Sequence, residues 1–243
     1  MWEKKLKKTI YTLNVDNYAP EITELTYPLI KAYAAKIGAD FKVINTRRWP
    51  ERAPVYEKLQ IYDRGREDGN DWNIYIDSDA LVNPDMFDIT QHLNKDTVAH
   101  HGRDMATHRW VYDRVFMRDG RFIGSCNWFT VGSDWCIELW KPPEDQTYEE
   151  AIKHIFPTVG ELNSLVKPDE SPEFWGSHLI DDYTLSRNIA MYGFKFTTVI
   201  DICKEVNTGL SPGNPGFFWH AYTITNEQKV LEFKKVLKAW GLL

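Results

Sequence analysis

Apolar and polar positions along the first hundred residues switch repeatedly between two periods. "TIYTLNV" from Thr9 is a short, mostly apolar run that predicts a strand, and "PEITELTYPLIKAYAAKIG" then repeats apolar residues at helical spacing until Gly38. A second strand, "FKVIN", follows at once. After "TRRWPERAP" comes helical "VYEKLQIYDRGRED", a Gly-Asn-Asp turn, and a third strand, "WNIYID". Strand, helix, strand, helix, strand is the order of a parallel sheet covered by helices on both faces.

Beyond Asp79 the pattern mixes. "PDMFDITQHL" predicts a short helix, "TVAHH" a strand, and Gly102 to Phe122 an irregular, partly helical excursion. "CNWFTVGS" predicts a strand, "DWCIELWK" and "TYEEAIKHIF" helical segments, and "SHLIDDYTLSRNIAMYG" a helix stopped by Gly193. Next come a strand "FKFTTVI", a Gly/Pro-rich loop from Asn207 to Gly216, the segment "FFWHAYTI", and a closing helix from Asn226. Neither repeats nor a linker divide the chain. The expectation is one α/β domain over residues 1–243, with a mixed, mainly parallel sheet flanked by helices.

Composition adjusts this picture little. The 243 residues are 43% hydrophobic and 26% charged, ordinary for a globular protein able to bury a core unaided. A net charge of -6 argues against a chain-wide nucleic-acid face, although Arg103, Arg109, Arg114, Arg118 and Arg121 form a local basic run. Ten Trp lean weakly toward flat ligands such as sugars and bases. Cys126, Cys136 and Cys203 have neither disulfide nor zinc spacing and are expected to be reduced thiols. The N-terminal stretch lacks the apolar core of a signal peptide, and no apolar run has transmembrane length, so a cytoplasmic protein is expected.

The chemistry gathers where strands end. "NIYIDSDALV" sets Asp77 and Asp79 one residue apart behind the third strand, at a position where ligands of parallel sheets bind. Two repelling carboxylates there make sense around a divalent cation, with Ser78 as spacer. The competing explanation is a turn in which one carboxylate caps the following segment and the other is solvated. Asp181 and Asp182 form a second pair, in "LIDDYTLSRN", where acidic residues at a helix start are also favoured by the helix dipole.

A D-x-D behind a hydrophobic strand within a β-α-β-α-β half resembles the GT-A fold glycosyltransferases, in compact form like viral and bacterial members. The resemblance implies a nucleotide-binding half over about residues 1–100 and an acceptor half over about 101–243. It implies Mn²⁺ or Mg²⁺ held by Asp77 and Asp79, with Asp77 shared with the donor ribose and Ser78 near the donor. The donor would be a nucleoside diphosphate sugar, UDP- or GDP-linked, and the acceptor a glycan or another hydroxyl. A nucleic acid is a further option should Arg103 to Arg121 form a basic face.

The same resemblance assigns further roles in chain order. Thr12, Leu13 and Asn14 would meet the nucleoside. Asn127 and Trp128, in a segment similar to the family's F-N-x-G-V strand with Phe129 in place of its Gly, would meet the donor sugar. Asp182 would be the general base of an inverting reaction, although retaining enzymes place a similar residue there, and Asp181 would position the acceptor. His220 in "FFWHAY" would be a third metal ligand, and the loop Asn207 to Gly216 could close over the donor. Apart from the resemblance, Lys58 and Arg47 or Arg48 are cations that could help the diphosphate or serve as surface charges, and Trp175 could stack on the acceptor or pack in the core.

Rival readings remain beside it. A haloacid-dehalogenase-like phosphatase also uses D-x-D behind a strand, with the first Asp as nucleophile. A non-catalytic carbohydrate- or nucleotide-binding module would use the aromatic residues and leave the carboxylates idle. A nucleotidyltransferase is disfavoured, because "TLNVDNYAP" contains no Gly for a phosphate loop.

Overall fold

A computed structural model describes residues 6–101, 127–155, 179–206, 216–221 and 224–243. Eight strands are described: β1 Lys8–Leu13, β2 Asp40–Ile44, β3 Trp72–Ile76, β4 Ala80–Val82, β5 Thr97–His100, β6 Phe129–Ser133, β7 Lys195–Thr198 and β8 Phe218–His220. The α-helices among the described residues are α1 Pro20–Ile37, α2 Ile61–Asp68, α3 Tyr148–Ile155, α4 Ile180–Tyr192, α5 Val199–Glu205 and α6 Asn226–Ala239. A six-stranded sheet runs in the order β2-β1-β3-β6-β5-β7. β1 is parallel to β2 and β3, β6 is antiparallel to both β3 and β5, and β7 is parallel to β5. The sheet is therefore parallel except for β6, in keeping with the expected mixed, mainly parallel α/β architecture.

The two faces of this sheet follow from alternation. Tyr11, Leu13 and Tyr75 point into one core with Leu59, Ile61, Trp140 and Ile180. Ile10, Ile74 and Ile76 point into the other, with Ile30, Tyr33, Phe129 and Val131. Period two puts neighbouring residues on opposite faces, so a strand buried on both sides reads as an almost unbroken apolar run. β3 does so over its whole length: all five residues are buried.

Several predicted elements have different limits. "PDMFDITQHL" holds only the single 3-10 turn Ile89–His92, capped by Asp88, whose side chain accepts from the Thr90 N–H. The segment after β2 begins as a 3-10 helix, Pro54–Gln60, before α2. "DWCIELWK" is likewise a 3-10 segment, Asp134–Trp140. "FKFTTVI" ends as a strand at Thr198, because that side chain accepts from the Asp201 N–H and starts α5 instead.

Outside the sheet, β4 and β8 pair as a small antiparallel ribbon in which Ala80 faces His220. The face of α1 carrying Ile22 packs with Leu81, Phe233, Val236 and Leu237, fastening α6 and the ribbon to the first β-α unit. Cys136 and Cys203 are buried free thiols. No helix among the described residues is long and apolar enough to cross a membrane.

Candidate active site

Three parallel strands bring their carboxyl ends to one edge, where β1 and β3 lie side by side with Tyr11 opposite Tyr75. The turn behind β3 is held from several sides. The Asp77 N–H donates to the Trp128 carbonyl at 2.8 Å, the Ala80 N–H to the Asp77 carbonyl at 3.1 Å, and the Thr26 hydroxyl of α1 to the Ser78 carbonyl at 2.6 Å. Ser78 is buried. Asp77 and Asp79 consequently have fixed directions, as a tip meant only to meet solvent would not require.

The β4-β8 ribbon completes this corner. His220, opposite Ala80, directs Nε2 at both carboxylates, 3.1 Å from Asp79 Oδ1 and 3.7 Å from Asp77 Oδ2. Its ring stacks on Trp128 with centroids 5.2 Å apart and planes inclined by 14°. Trp128 also packs on His101, centroids 4.2 Å apart, and is buried. Trp128 thus forms the wall that orients the imidazole.

Each carboxylate has an outer oxygen already engaged. Asp77 Oδ1 accepts from the Tyr75 hydroxyl at 2.5 Å and lies 3.2 Å from Lys58 Nζ. Asp79 Oδ2 takes Lys229 Nζ at 2.5 Å and the Tyr18 hydroxyl at 3.2 Å. The inner oxygens, Asp77 Oδ2 and Asp79 Oδ1, face His220. Asp77, Asp79 and His220 each offer an atom within 4.8 Å of the others, a spacing that one ion can bridge. Two carboxylates and an imidazole suit Mn²⁺, and the carboxylates equally Mg²⁺, so the donor set fits the implied metal. The outer bonds supply the orientation that metal ligands usually take from a surrounding layer.

Lys58 lies at the junction of both acidic pairs. Its ammonium donates to Asp181 Oδ2 at 2.6 Å and Asn127 Oδ1 at 2.7 Å, besides its contact with Asp77. It also lies 4.6 Å from the Tyr75 ring centroid. Asp182, the next residue of α4, accepts the Asn127 N–H at 3.2 Å on Oδ1. Asn127, Lys58, Asp181 and Asp77 thereby form one connected set, with both Asp181 and Asp182 buried.

Charge and burial compete strongly here. Burial alone would disfavour the Lys58 ammonium, but Asp181 and Asp77 outweigh it and hold the group above the ordinary lysine range. Burial likewise opposes ionised Asp79, and His220 and Lys229 reverse this, keeping its carboxyl well below the usual range. The Tyr18 phenol is pushed up to about 12, first by burial and then by Asp79. Tyr75 lies well above the ordinary phenol for the same two reasons, with Asp77 as its neighbour.

The remaining expected site residues divide. Thr12, Leu13 and Asn14 lie at the end of β1 beside this corner, with the Asn14 N–H bound to the Ile44 carbonyl at 2.8 Å. The Arg47 guanidinium is spent on Asp16, Glu57 and the carbonyls of Trp49, Pro50 and Arg52, so it fastens the loop after β2. Arg48 pairs with Asp63. Trp175, the Arg103 to Arg121 run and residues 207–215 lie outside the described residues.

Lys229, Tyr18 and Tyr75 were not among the expected residues. Lys229 had a readable signal: with Phe233, Val236 and Leu237 it completes the buried stripe of α6, a charge placed where periodicity calls for an apolar group. Tyr18 follows from a tight loop in which Asp16, Asn17 and Ala19 adopt φ of 57, 55 and 35°. Left-handed backbone at Ala is unfavourable, and the loop that adopts it carries the Tyr18 hydroxyl to Asp79.

No family model and no curated protein matches the chain. Among solved structures it is similar to a glycosyltransferase involved in glycosylation of the major capsid of PBCV-1, at 13% identity and a TM-score of 0.49 over 94% of this chain and 100% of that one. It is also similar to the galactosyltransferase LgtC, solved with donor and acceptor sugar analogs, at 12% identity and a TM-score of 0.48 over 97% and 96% of the two chains. These are likenesses of overall chain path.

Proposed function

We propose that the chain is an enzyme, a metal-dependent glycosyltransferase that moves a sugar from a nucleoside diphosphate sugar to an acceptor hydroxyl. One observation carries the reading: the inner oxygens of Asp77 and Asp79 converge with His220 Nε2 while the outer oxygens are held by Tyr75, Lys58, Tyr18 and Lys229. Such an arrangement directs negative charge at one point and keeps it there.

Asp77, Asp79 and His220 would hold Mn²⁺ or Mg²⁺. When bound, such an ion stabilises the charge that a departing diphosphate acquires. The end of β1, with Thr12, Leu13 and Asn14, adjoins this corner and would receive the nucleoside, with Asp77 reaching its ribose. Asn127 faces the same set through its Lys58 contact and would meet the donor sugar.

Asp182 would take the acceptor proton. As its carboxylate removes the proton, the acceptor oxygen bonds to the anomeric carbon, and the bond from that carbon to the phosphate oxygen breaks, its electron pair leaving with the nucleoside diphosphate. Such a displacement inverts the anomeric centre. Asp181 is fixed by Lys58 and would orient the acceptor without accepting its proton. The phosphatase alternative fits less well, because Asp77 would have to attack phosphorus with one oxygen engaged by Tyr75 and Lys58 and the other facing His220. For a binding module, the order built around these carboxylates would serve nothing.

The test is thermal protection of the whole chain. UDP or GDP with Mn²⁺ should raise the unfolding midpoint beyond either component alone, since a ligand at about a hundred times its Kd adds roughly 2.7 kcal/mol to stability. Asp79→Asn should remove the joint effect. Protection by neither nucleotide with Mn²⁺ or Mg²⁺, or protection that persists in Asp79→Asn, would overturn the proposal.

A further inference from the structure

Behind Asn127 lies a buried polar pair outside the ligand set. His100, at the end of β5, is 1% exposed, and its Nδ1 lies 2.8 Å from Thr130 Oγ1. The Thr130 hydroxyl, fully buried in β6, lies 2.8 Å from the Asn127 carbonyl. A carbonyl only accepts, so the Thr130 proton goes to Asn127 and its oxygen accepts from His100. That assigns the proton of a neutral His100 to Nδ1 and leaves Nε2 a bare acceptor, buried and without a hydrogen-bond partner among the described residues. The desolvated ring stays neutral, its pKa lowered to about 3 by burial and, secondarily, by Lys58.

Such a pair is costly in a core where Val and Phe would fill the space. Its effect appears at the far end. Asn127 opens the turn into β6, and it holds Asp182 by its N–H and Lys58 by its amide oxygen. Fixing its carbonyl fixes the peptide plane before Trp128 and limits how the residue can turn between those partners. Only Thr130 and Asn127 separate His100 from Asp182.

We propose that His100 and Thr130 are positioning residues, a directed hydrogen-bond chain from His100 Nδ1–H through Thr130 to the Asn127 carbonyl that sets Asn127 to hold Asp182 and Lys58. This rests on the glycosyltransferase reading for its consequence in turnover, but the chain itself can be observed without activity. Neither residue touches the reacting atoms.

The experiment compares the full-length wild type with Thr130→Val and Thr130→Ser, using amide hydrogen exchange at Asn127, ¹⁵N spectra of the His100 ring, and steady-state turnover with Mn²⁺. In the wild type the Asn127 amide should be protected and His100 protonated at Nδ1 at neutral pH. Thr130→Val should speed Asn127 exchange by roughly tenfold or more, the scale of losing about one net hydrogen bond. It should lower kcat by a similar factor while Mn²⁺ affinity stays unchanged, and Thr130→Ser should restore both exchange and kcat. An Nε2-protonated His100, or unaltered Asn127 exchange in folded Thr130→Val, overturns the chain. A wild type that turns over no nucleotide sugar, with the exchange and tautomer results as expected, defeats the functional reading while leaving the chain intact. Loss of kcat in Thr130→Val that Thr130→Ser does not restore overturns the positioning role.

Discussion

Replacing Lys58 by Met deletes a buried cation while keeping an unbranched side chain of similar length, so little cavity is created. The ammonium, 4% exposed, donates to Asp181 at 2.6 Å and Asn127 at 2.7 Å and lies 3.2 Å from Asp77. Asp181, whose side chain is 5% exposed, would be left with no cation in contact among the described residues. Breaking a buried pair from one side typically costs about 3–5 kcal/mol, since the surviving charge stays desolvated. For a chain of this size that is a fall of roughly 6–20 °C in Tm. Urea unfolding extrapolated to water gives the energy directly. The penalty should be constant between pH 6 and 9: a lysine pKa raised by folding adds stability that is complete below its unfolded value of about 10.4 and fades only as pH climbs toward the folded value. Because the cost comes from an orphaned charge, the double variant with Asp181→Asn should be less impaired than the two single losses added together. A Lys58→Met loss below about 1 kcal/mol, or strict additivity with Asp181→Asn, would show that Lys58 and Asp181 are not a coupled buried pair.

Other parts of the fold answer to simpler perturbations. His100 stays neutral in the native state to about pH 3, whereas an unfolded histidine protonates near 6.5, so stability should fall as pH drops through that window. The histidine's share is about 2 kcal/mol between pH 7.5 and 5, read as the excess pH slope of the wild type over His100→Phe in denaturant titrations. Thr225 and Gln228 form a capping box on the helix carrying Lys229, with bonds of 3.3 and 3.0 Å, and Thr225→Ala should cost about 1 kcal/mol in the same assay. A Cβ at Gly65 would come within 2.5 Å of Asn73 Oδ1 and 2.9 Å of Ile137 Cδ1, so Gly65→Ala should destabilise by about 1–3 kcal/mol, and a neutral result would show that these two side-chain ends move aside freely.

What the chain reveals about itself depends on how local the cause is. The β1-α1-β2 and α2-β3 order is set by period and by Gly stops such as Gly38, and both are readable in single segments. The ribbon is different. Ala80–Val82 is too short to show alternation and becomes a strand only by pairing with Phe218–His220, far along the chain. The reversed direction of β6 leaves no trace in its own residues either, since strand sense is decided by connection and pairing. The Thr198 boundary was hidden because "FKFTTVI" reads as one strand-prone run of aromatic and β-branched residues, and the decisive event is a side-chain cap.

The candidate site divides in the same way. Asp77 and Asp79 could be selected from spacing behind a strand, whereas His220 was implied only by the family resemblance, since a His among aromatics reads equally as a packed core residue. Tyr75 and Tyr18 could not, because an aromatic hydroxyl near an acidic pair looks like any core or loop tyrosine until its direction is known. Lys58 was readable as a cation on the second helical segment, but its position between both acidic pairs comes from the packing of Pro54–Gln60 beneath α4.

Sugar transfer at the Asp77, Asp79 and His220 corner, as proposed above, would release nucleoside diphosphate, and that product is the quantity to measure. The purified chain would be given a panel of UDP- and GDP-sugars with Mn²⁺ or Mg²⁺, with and without EDTA, and both products quantified by chromatography. At least one sugar nucleotide should yield free nucleoside diphosphate and a released or transferred sugar, and EDTA or Asp79→Asn should stop it. Absence of cleavage across the panel with either metal, or cleavage indifferent to EDTA and Asp79→Asn, would contradict the proposal.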